Sequence, residues 1–166
     1  MMKKLLCLLC LLVLLTGCVQ APNKLEAAFY YPRAVYTYNQ EDGVIAIEYR
    51  DKGGSTSAKD ILSLYLQGPA SETLVQPFPQ GLTLSSIHTD GRTVYVTVTD
   101  ELASLSGATL ILACSCLGRT AMELTGCSSA EIRCENLLLE GRRTIFISDS
   151  TVLYSDTLPQ TTDPIN

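Results

Sequence analysis

The 166-residue chain contains seven cysteines and one histidine, residue types that supply nucleophiles, redox pairs and metal ligands. Four of the cysteines lie in the last third of the chain: Cys114, Cys116, Cys127 and Cys134. Four thiols can form two disulfides, which allows three complete pairings, or they can bind zinc or react singly. The choice among these depends on the secondary structure that carries the thiols.

A helix is predicted over 108–126, because apolar residues recur at helical spacing through this range. If it extends to Cys127, then Cys116 and Cys114 lie about 16 and 20 Å from Cys127 along its axis, beyond the ~7 Å that a disulfide spans between Cα atoms. Cys114 and Cys116, two residues apart, point in different directions. Every complete pairing needs one of these three pairs. We therefore expect at most one bridge, to Cys134, and interpret Cys114 and Cys134 as small apolar core residues.

Zinc is a weaker interpretation of the same thiols, because their spacing lacks the short gaps of thiolate zinc sites. The adjacent carboxylates Glu41-Asp42 and Asp100-Glu101 lie in predicted turns, where capping and solvation are their expected roles. The chain also lacks a phosphate-binding glycine loop and a dinucleotide fingerprint. The sequence therefore predicts no metal site and no cofactor.

An enzyme remains an alternative. His88 stands beside Asp90 at a predicted hairpin tip, where an exposed turn histidine is the expected outcome. A catalytic triad needs a nucleophile held by the imidazole, and no Gly-x-Ser-x-Gly motif is present. The alternative is thus a small exported hydrolase or thiol enzyme that uses Cys116 or His88, while the main prediction assigns no catalytic residue.

The N-terminus has the layout of an export signal. Lys3 and Lys4 precede an apolar run over 5–15, which is too short to span a bilayer as a helix. The run ends in Leu15-Thr16-Gly17-Cys18, which resembles the bacterial lipobox. That resemblance implies cleavage between Gly17 and Cys18, a lipid on the Cys18 thiol, and a location on the extracytoplasmic face of the cell membrane.

Charge narrows the class of partner. Without Lys3 and Lys4, ten basic residues face 17 acidic ones, so the processed chain is more acidic than the net charge of −5 suggests. An acidic surface repels nucleic acid and anionic lipid. We expect no nucleic-acid partner, and instead an envelope protein or a second copy of the chain. A two-lobed solute-binding protein would need a longer chain.

The rest of the chain divides into a tether over 18–25, one domain over 26–148 and a flexible tail over 149–166. A capping box at Ser57 and Asp60 predicts a helix that stops at Gly68-Pro69. Alternating apolar residues predict short strands, with turns at Asp42-Gly43, Asp90-Gly91 and Glu140-Gly141. The predicted strands cover 26–32, 36–38, 44–50, 82–89, 93–99, 130–135, 137–139 and 144–148. The expected fold is α+β, with two helices packed on one face of a mostly antiparallel or mixed sheet.

Several local patterns resemble the GerM domain of sporulation and spore germination lipoproteins. They are the helix end Leu64-Tyr65-Leu66-Gln67-Gly68-Pro69, the loop and hairpin from Pro79 to Val96, the helix from Ala108 to Leu124, and the segments Ala130–Arg133 and Glu140-Gly141. Val98-Thr99-Asp100 departs from the family pattern, and so does the late Glu140-Gly141. The resemblance implies a single non-enzymatic domain that serves assembly or envelope contacts in a spore-forming Gram-positive bacterium.

Overall fold

The computed structural model describes residues 25–35, 43–136, 138–139 and 141–148. The predicted signal peptide, Cys18, the tether up to residue 24, the tail and the predicted strand at Tyr36 and Tyr38 lie outside these residues. The elements, in chain order, are β1 (Glu26–Pro32), β2 (Ile45–Asp51), α1 (Ala58–Tyr65), β3 (Leu84–Asp90), β4 (Thr93–Val98), a 3-10 helix (Asp100–Ser104), α2 (Gly107–Thr125), β5 (Ser129–Cys134) and β6 (Ile145–Ser148).

The strands form two sheets within the described residues. β1 and β2 make an antiparallel pair, and the other four strands lie in the order β3-β4-β5-β6. β4 and β5 run parallel, whereas β3–β4 and β5–β6 are antiparallel. The parallel pair follows from the connection, because the helix α2 carries the chain from the end of β4 back to the start of β5. The predicted α+β class with a mixed sheet is confirmed.

The hairpin of β3 and β4 is the element that local sequence defines best. Asp90 pairs with Thr93 across a two-residue turn whose Gly91 has a φ of 57°. Glycine reaches this left-handed conformation without the steric cost that a Cβ brings. Val94, Val96 and Val98 alternate with less buried residues and all point into the core, as predicted.

Two predicted pairings differ from the structure. The sequence paired β2 with a strand at Tyr36 and Tyr38, but all seven β2 residues pair with β1, from Pro32–Ile45 to Glu26–Asp51. The sequence likewise paired the last strand with 137–139, whereas β6 pairs with β5. In both cases local turn chemistry predicts that the chain reverses, but it carries no information about which earlier strand has the buried face to match.

The first helix begins where it was predicted to begin, but different hydrogen bonds stabilise its N-terminus. Ser57 is its N-cap residue, yet the Ser57 side chain makes no capping hydrogen bond, so the predicted capping box does not form. Instead Ser55 Oγ donates to Asp60 Oδ2 at 3.2 Å and accepts from the Ser57 amide. The helix ends at Tyr65, three residues before the predicted stop at Gly68, which has a φ of 103°.

The core lies between the helices and the sheets. Phe29, Tyr31, Tyr65 and Phe78 form a chain of ring contacts that joins β1 to α1, with centroids 4.8 to 5.4 Å apart. The predicted apolar stripe of α2 is buried, and Gly126 ends this helix in the left-handed conformation. Packing of this core fixes the relative positions of β1, β2 and both helices. These elements together form the groove described in the next section.

Candidate functional site

The four late cysteines are free thiols in the structure, and three of them are buried. Cys114 and Cys134 belong to the hydrophobic core, which confirms their predicted packing role. Burial is the main cause that raises the pKa of Cys114 to about 12 and the pKa of Cys134 to about 11. A thiol with so high a pKa is almost entirely protonated at neutral pH and is a poor nucleophile.

Cys116, the thiol of the enzyme alternative, lies near the buried Tyr31 and Tyr65. It is fully buried on α2, and desolvation raises its pKa well above the usual range. Near it, the Tyr31 hydroxyl donates to the Tyr65 carbonyl at 2.6 Å, and the Tyr65 hydroxyl donates to the Tyr30 carbonyl at 2.8 Å. Both phenol groups therefore act as hydrogen-bond donors that hold β1 against α1.

His88 lies on the other side of the sheet from α2. It is exposed on β3, and its ring stacks on Tyr95 of β4 with centroids 4.9 Å apart and an interplanar angle of 7°. The valines of β4 point to the core, so Tyr95 and His88 face outward. The four-stranded sheet thus separates His88 from the buried Cys116, and the two do not form a catalytic pair.

Of the two predicted carboxylate pairs, Asp100-Glu101 lies in the described residues and makes local hydrogen bonds. Asp100 Oδ1 accepts a hydrogen bond from the Asn136 amide at 3.1 Å and so ties the 3-10 helix to the end of β5. A hydrogen bond from Thr99 lowers the pKa of the exposed Glu101. Glu41 and Asp42 lie outside the described residues. Within those residues, no group of three or more His, Cys, Asp and Glu side chains could hold a metal ion.

The sequence analysis missed a pair of charged residues on β2, Glu48 and Arg50, which we call the Glu48 latch. Glu48 accepts hydrogen bonds from the Ala70 and Ser71 amides at 3.0 and 2.8 Å, and its Oε2 lies 3.3 Å from Arg50 Nε. Arg50 in turn donates to the Gly68 carbonyl at 2.9 Å and covers the Phe29 ring at 4.5 Å. The latch fastens β2 to the segment that follows α1. Sequence periodicity could show only that both charges share the strand face opposite Tyr49.

A groove of about 530 Å³ opens where β1 begins and β2 ends. We call it the strand-end groove. Its walls come from both strands, the loop before α1, the first turns of α1 and the last turn of α2. The lining residues are Leu25, Glu26, Ala27, Ala28, Tyr49, Lys52, Gly54, Ser55, Thr56, Ala58, Ile61, Glu123 and Leu124. Its size is within the range of ligand and peptide pockets. Three segments that are far apart in the sequence build it, so no local motif predicts it.

None of the helices in the described part of the chain has the length and apolar character needed to cross a membrane. The arrangement offers surfaces and a groove, while three of the four described thiols are buried.

The chain is similar to two solved structures. The tandem GerMN domains of the sporulation protein GerM from Bacillus subtilis match 76% of this chain at 14% identity with a TM-score of 0.51, and the chain spans 47% of that structure. A candidate lipoprotein from Clostridium perfringens matches 75% of this chain and 87% of its own length at 15% identity, with a TM-score of 0.44. No curated protein sequence matches the chain.

The sequence model of one family, Germane, matches residues 29–140, and its description is sporulation and spore germination. The matched range runs from the middle of β1 into the segment before β6 and includes both helices. It also contains the motifs on which the GerM resemblance rests, so that resemblance is confirmed. Because the match covers about two thirds of the sequence, the chain belongs to the Germane family of sporulation and spore germination domains.

Proposed function

We propose that this protein is a lipoprotein of the cell envelope, anchored on the extracytoplasmic face of the membrane by a lipid on Cys18. Its Germane domain acts in sporulation or germination by binding another envelope protein or a second copy of itself, and it catalyses no reaction. The observation that carries the proposal is the family match over residues 29–140, which spans the core of the domain.

The anchor is supported by the sequence that precedes the domain. A lipobox-like tetrapeptide ends at Cys18, and Leu25, the first described residue, lies only seven positions further on. A fully extended chain of seven residues reaches about 23 to 25 Å. The domain would therefore stay within a few nanometres of the bilayer, where two or more acyl chains hold a protein firmly.

The non-catalytic role is supported by the chemistry of the thiols and the histidine. Desolvation keeps the Cys116 thiol protonated, and His88 lies on the opposite side of the sheet. A thiol enzyme needs a thiolate within reach of a base. The arrangement of these side chains instead favours a domain that presents surfaces to a partner.

Mass spectrometry of the mature N-terminus tests the anchor. The protein purified from its own bacterium should begin at Cys18 and carry lipid mass on that residue. Cys18→Ala should leave the precursor unlipidated, whereas Cys10→Ala, inside the leader, should leave lipidation unchanged. A mature wild-type chain that begins at another residue, or that bears no lipid, would contradict the anchoring.

A further inference from the structure

We propose that the strand-end groove docks a segment of a partner protein in which basic side chains flank an apolar one. The inference deepens the proposed function, because it rests on the domain acting by protein binding and names the surface and the partner chemistry. Three features of the groove carry it: exposed apolar walls, unfavourably placed carboxylates and the negative end of a helix.

The apolar walls are open to solvent. Leu25 is 63% exposed and Tyr49 is 57% exposed, while Ile61 closes the bottom of the groove from α1. Large apolar side chains that line a concave surface gain free energy when another apolar group displaces water from them. Tyr49 also offers an aromatic face, which attracts cations as well as apolar groups. The groove therefore suits one apolar side chain with a positive charge nearby.

Two carboxylates lie where β1 begins and β2 ends, and one of them, Glu26, lines the groove. Glu26 of β1 and Asp51 of β2 are directly opposite in the antiparallel register, and both are exposed. Side chains in such a pair point to the same side of the sheet, and like charges in this position destabilise the pairing. The pair would be relieved by a cation placed between the two groups. Lys52 also lines the groove, so the lining has one basic residue against two acidic ones, Glu26 and Glu123.

A third carboxylate stands at the far wall. Glu123 is exposed in the last turn of α2, which contains no basic residue, and the helix ends at Gly126. The C-terminus of a helix carries about half a negative charge, and cations rather than carboxylates are stabilising there. The helix end and Glu123 therefore add their negative potentials on one side of the groove. A lysine or arginine of a partner is the group that this potential favours.

The same charges argue against other occupants. A phosphate-bearing surface, either lipid or nucleic acid, would be repelled by Glu26, Asp51 and Glu123. A second copy of the chain is also acidic overall. A basic and apolar segment of a different protein is thus the occupant whose chemistry matches the walls, and its charge would both steer it to the groove and hold it there.

A peptide titration tests the proposal. The full-length lipoprotein in non-ionic detergent is titrated against a fluorescent peptide of alternating lysine and leucine, and anisotropy reports binding. The peptide should bind, while peptides with glutamate for lysine or serine for leucine should not. Glu123→Lys should raise the dissociation constant roughly tenfold, as expected for reversing one interfacial charge. Tyr49→Ala should also weaken binding, and Glu26→Lys is the second charge variant if Glu123→Lys does not fold.

Matched controls separate groove binding from general attraction. Glu135→Lys makes the same charge change at an exposed position after β5, and Phe146→Ala removes an exposed aromatic ring from β6. Both should leave the affinity within about twofold of the wild type, since neither residue lines the groove. Equal weakening by Glu123→Lys and Glu135→Lys would overturn the proposal, and so would the absence of binding. Self-association that Glu123→Lys abolishes would overturn it too, because the occupant would then be a second copy.

The lipid mass of the same preparation keeps the two proposals distinguishable. A lipidated protein whose peptide binding ignores the groove variants contradicts the docking inference alone. A protein without lipid on Cys18 contradicts the anchoring, whereas the groove measurement would still report on docking.

Discussion

Gly118 of α2 lies directly against Ile147 of β6. A Cβ built on Gly118 would be 3.0 Å from Ile147 Cβ and 3.1 Å from both of its γ-carbons. Such distances are tighter than nine in ten real Cβ contacts, so Ile147 would have to shift, and a β-branched side chain cannot rotate all three atoms away. The missing side chain at Gly118 therefore sets how close the second helix comes to the edge of the four-stranded sheet.

We expect Gly118→Ala to lower the free energy of unfolding by about 1 kcal/mol, because overpacking at this contact outweighs the higher helix propensity of alanine. Urea denaturation measures the change. In an Ile147→Ala background the contacts with both γ-carbons are removed and only the contact with Ile147 Cβ remains, so the same Gly118→Ala substitution should be less destabilising. A destabilising effect of equal size in both backgrounds would show that the contact is not the cause.

Thiol accessibility in the native protein follows from burial. A short alkylation of the native protein should modify Cys127, which is half-buried, and spare the buried Cys114, Cys116 and Cys134. After denaturation without reductant all four should react, as the structure has them as free thiols. Peptide mass spectrometry identifies each site. Rapid native modification of Cys116 would contradict the packing of α2 and would revive the thiol-enzyme alternative.

Stability should fall at alkaline pH because the buried thiols resist ionisation. The pKa of Cys114 is raised from 9.0 to about 12, mainly by desolvation. Below pH 9 both the folded and the unfolded forms keep the proton. Between 9 and 12 the unfolded thiol loses its proton while the folded one keeps it, so the free energy of unfolding decreases as pH rises, by at most about 1.4 kcal/mol per unit for this thiol.

The measurement is urea denaturation of wild type and Cys114→Ala between pH 8 and 10. Cys114→Ala should flatten the decline above pH 9. Identical slopes for wild type and Cys114→Ala would contradict the contribution of Cys114.

The Glu48 latch should contribute measurably to stability. Glu48→Ala leaves the Ala70 and Ser71 amides without their acceptor and removes the carboxylate next to Arg50. Hydrogen bonds to charged groups contribute about 1.5 to 3 kcal/mol, so we expect a loss of that order in the free energy of unfolding. Glu131→Ala, on the outward face of β5, is the control and should change stability little. Equal losses in the two variants would contradict the latch.

Much of the fold could be predicted from local patterns. The valines of β4, the apolar stripe of α2 and Gly126 each carry their own signal, because periodicity and glycine conformations are properties of neighbouring residues. The partners of β2 and β6 could not be predicted in this way. Pairing depends on which distant strand has a complementary buried face, and several segments were compatible with the same turn.

The candidate site was still harder to foresee. The residue types suggested thiol chemistry, but the reactivity of a thiol depends on its burial, and desolvation raises the pKa of Cys116. The strand-end groove joins Glu26, Tyr49 and Glu123 from segments separated by more than 20 residues each. Its carboxylates are ordinary surface residues in the sequence. Only the cross-strand register of Glu26 and Asp51, and the helix end beside Glu123, make their positions unusual.

The most direct test of the proposed role is complementation of a deletion strain in its own bacterium. Spore yield and germination are scored with wild type, Cys18→Ala and a His88→Ala, Cys116→Ala double variant produced at matched levels. A lipid-anchored, non-catalytic domain predicts that the double variant restores the wild-type phenotype and that Cys18→Ala does not. Full function of Cys18→Ala, or loss of function in a folded double variant, would contradict this account.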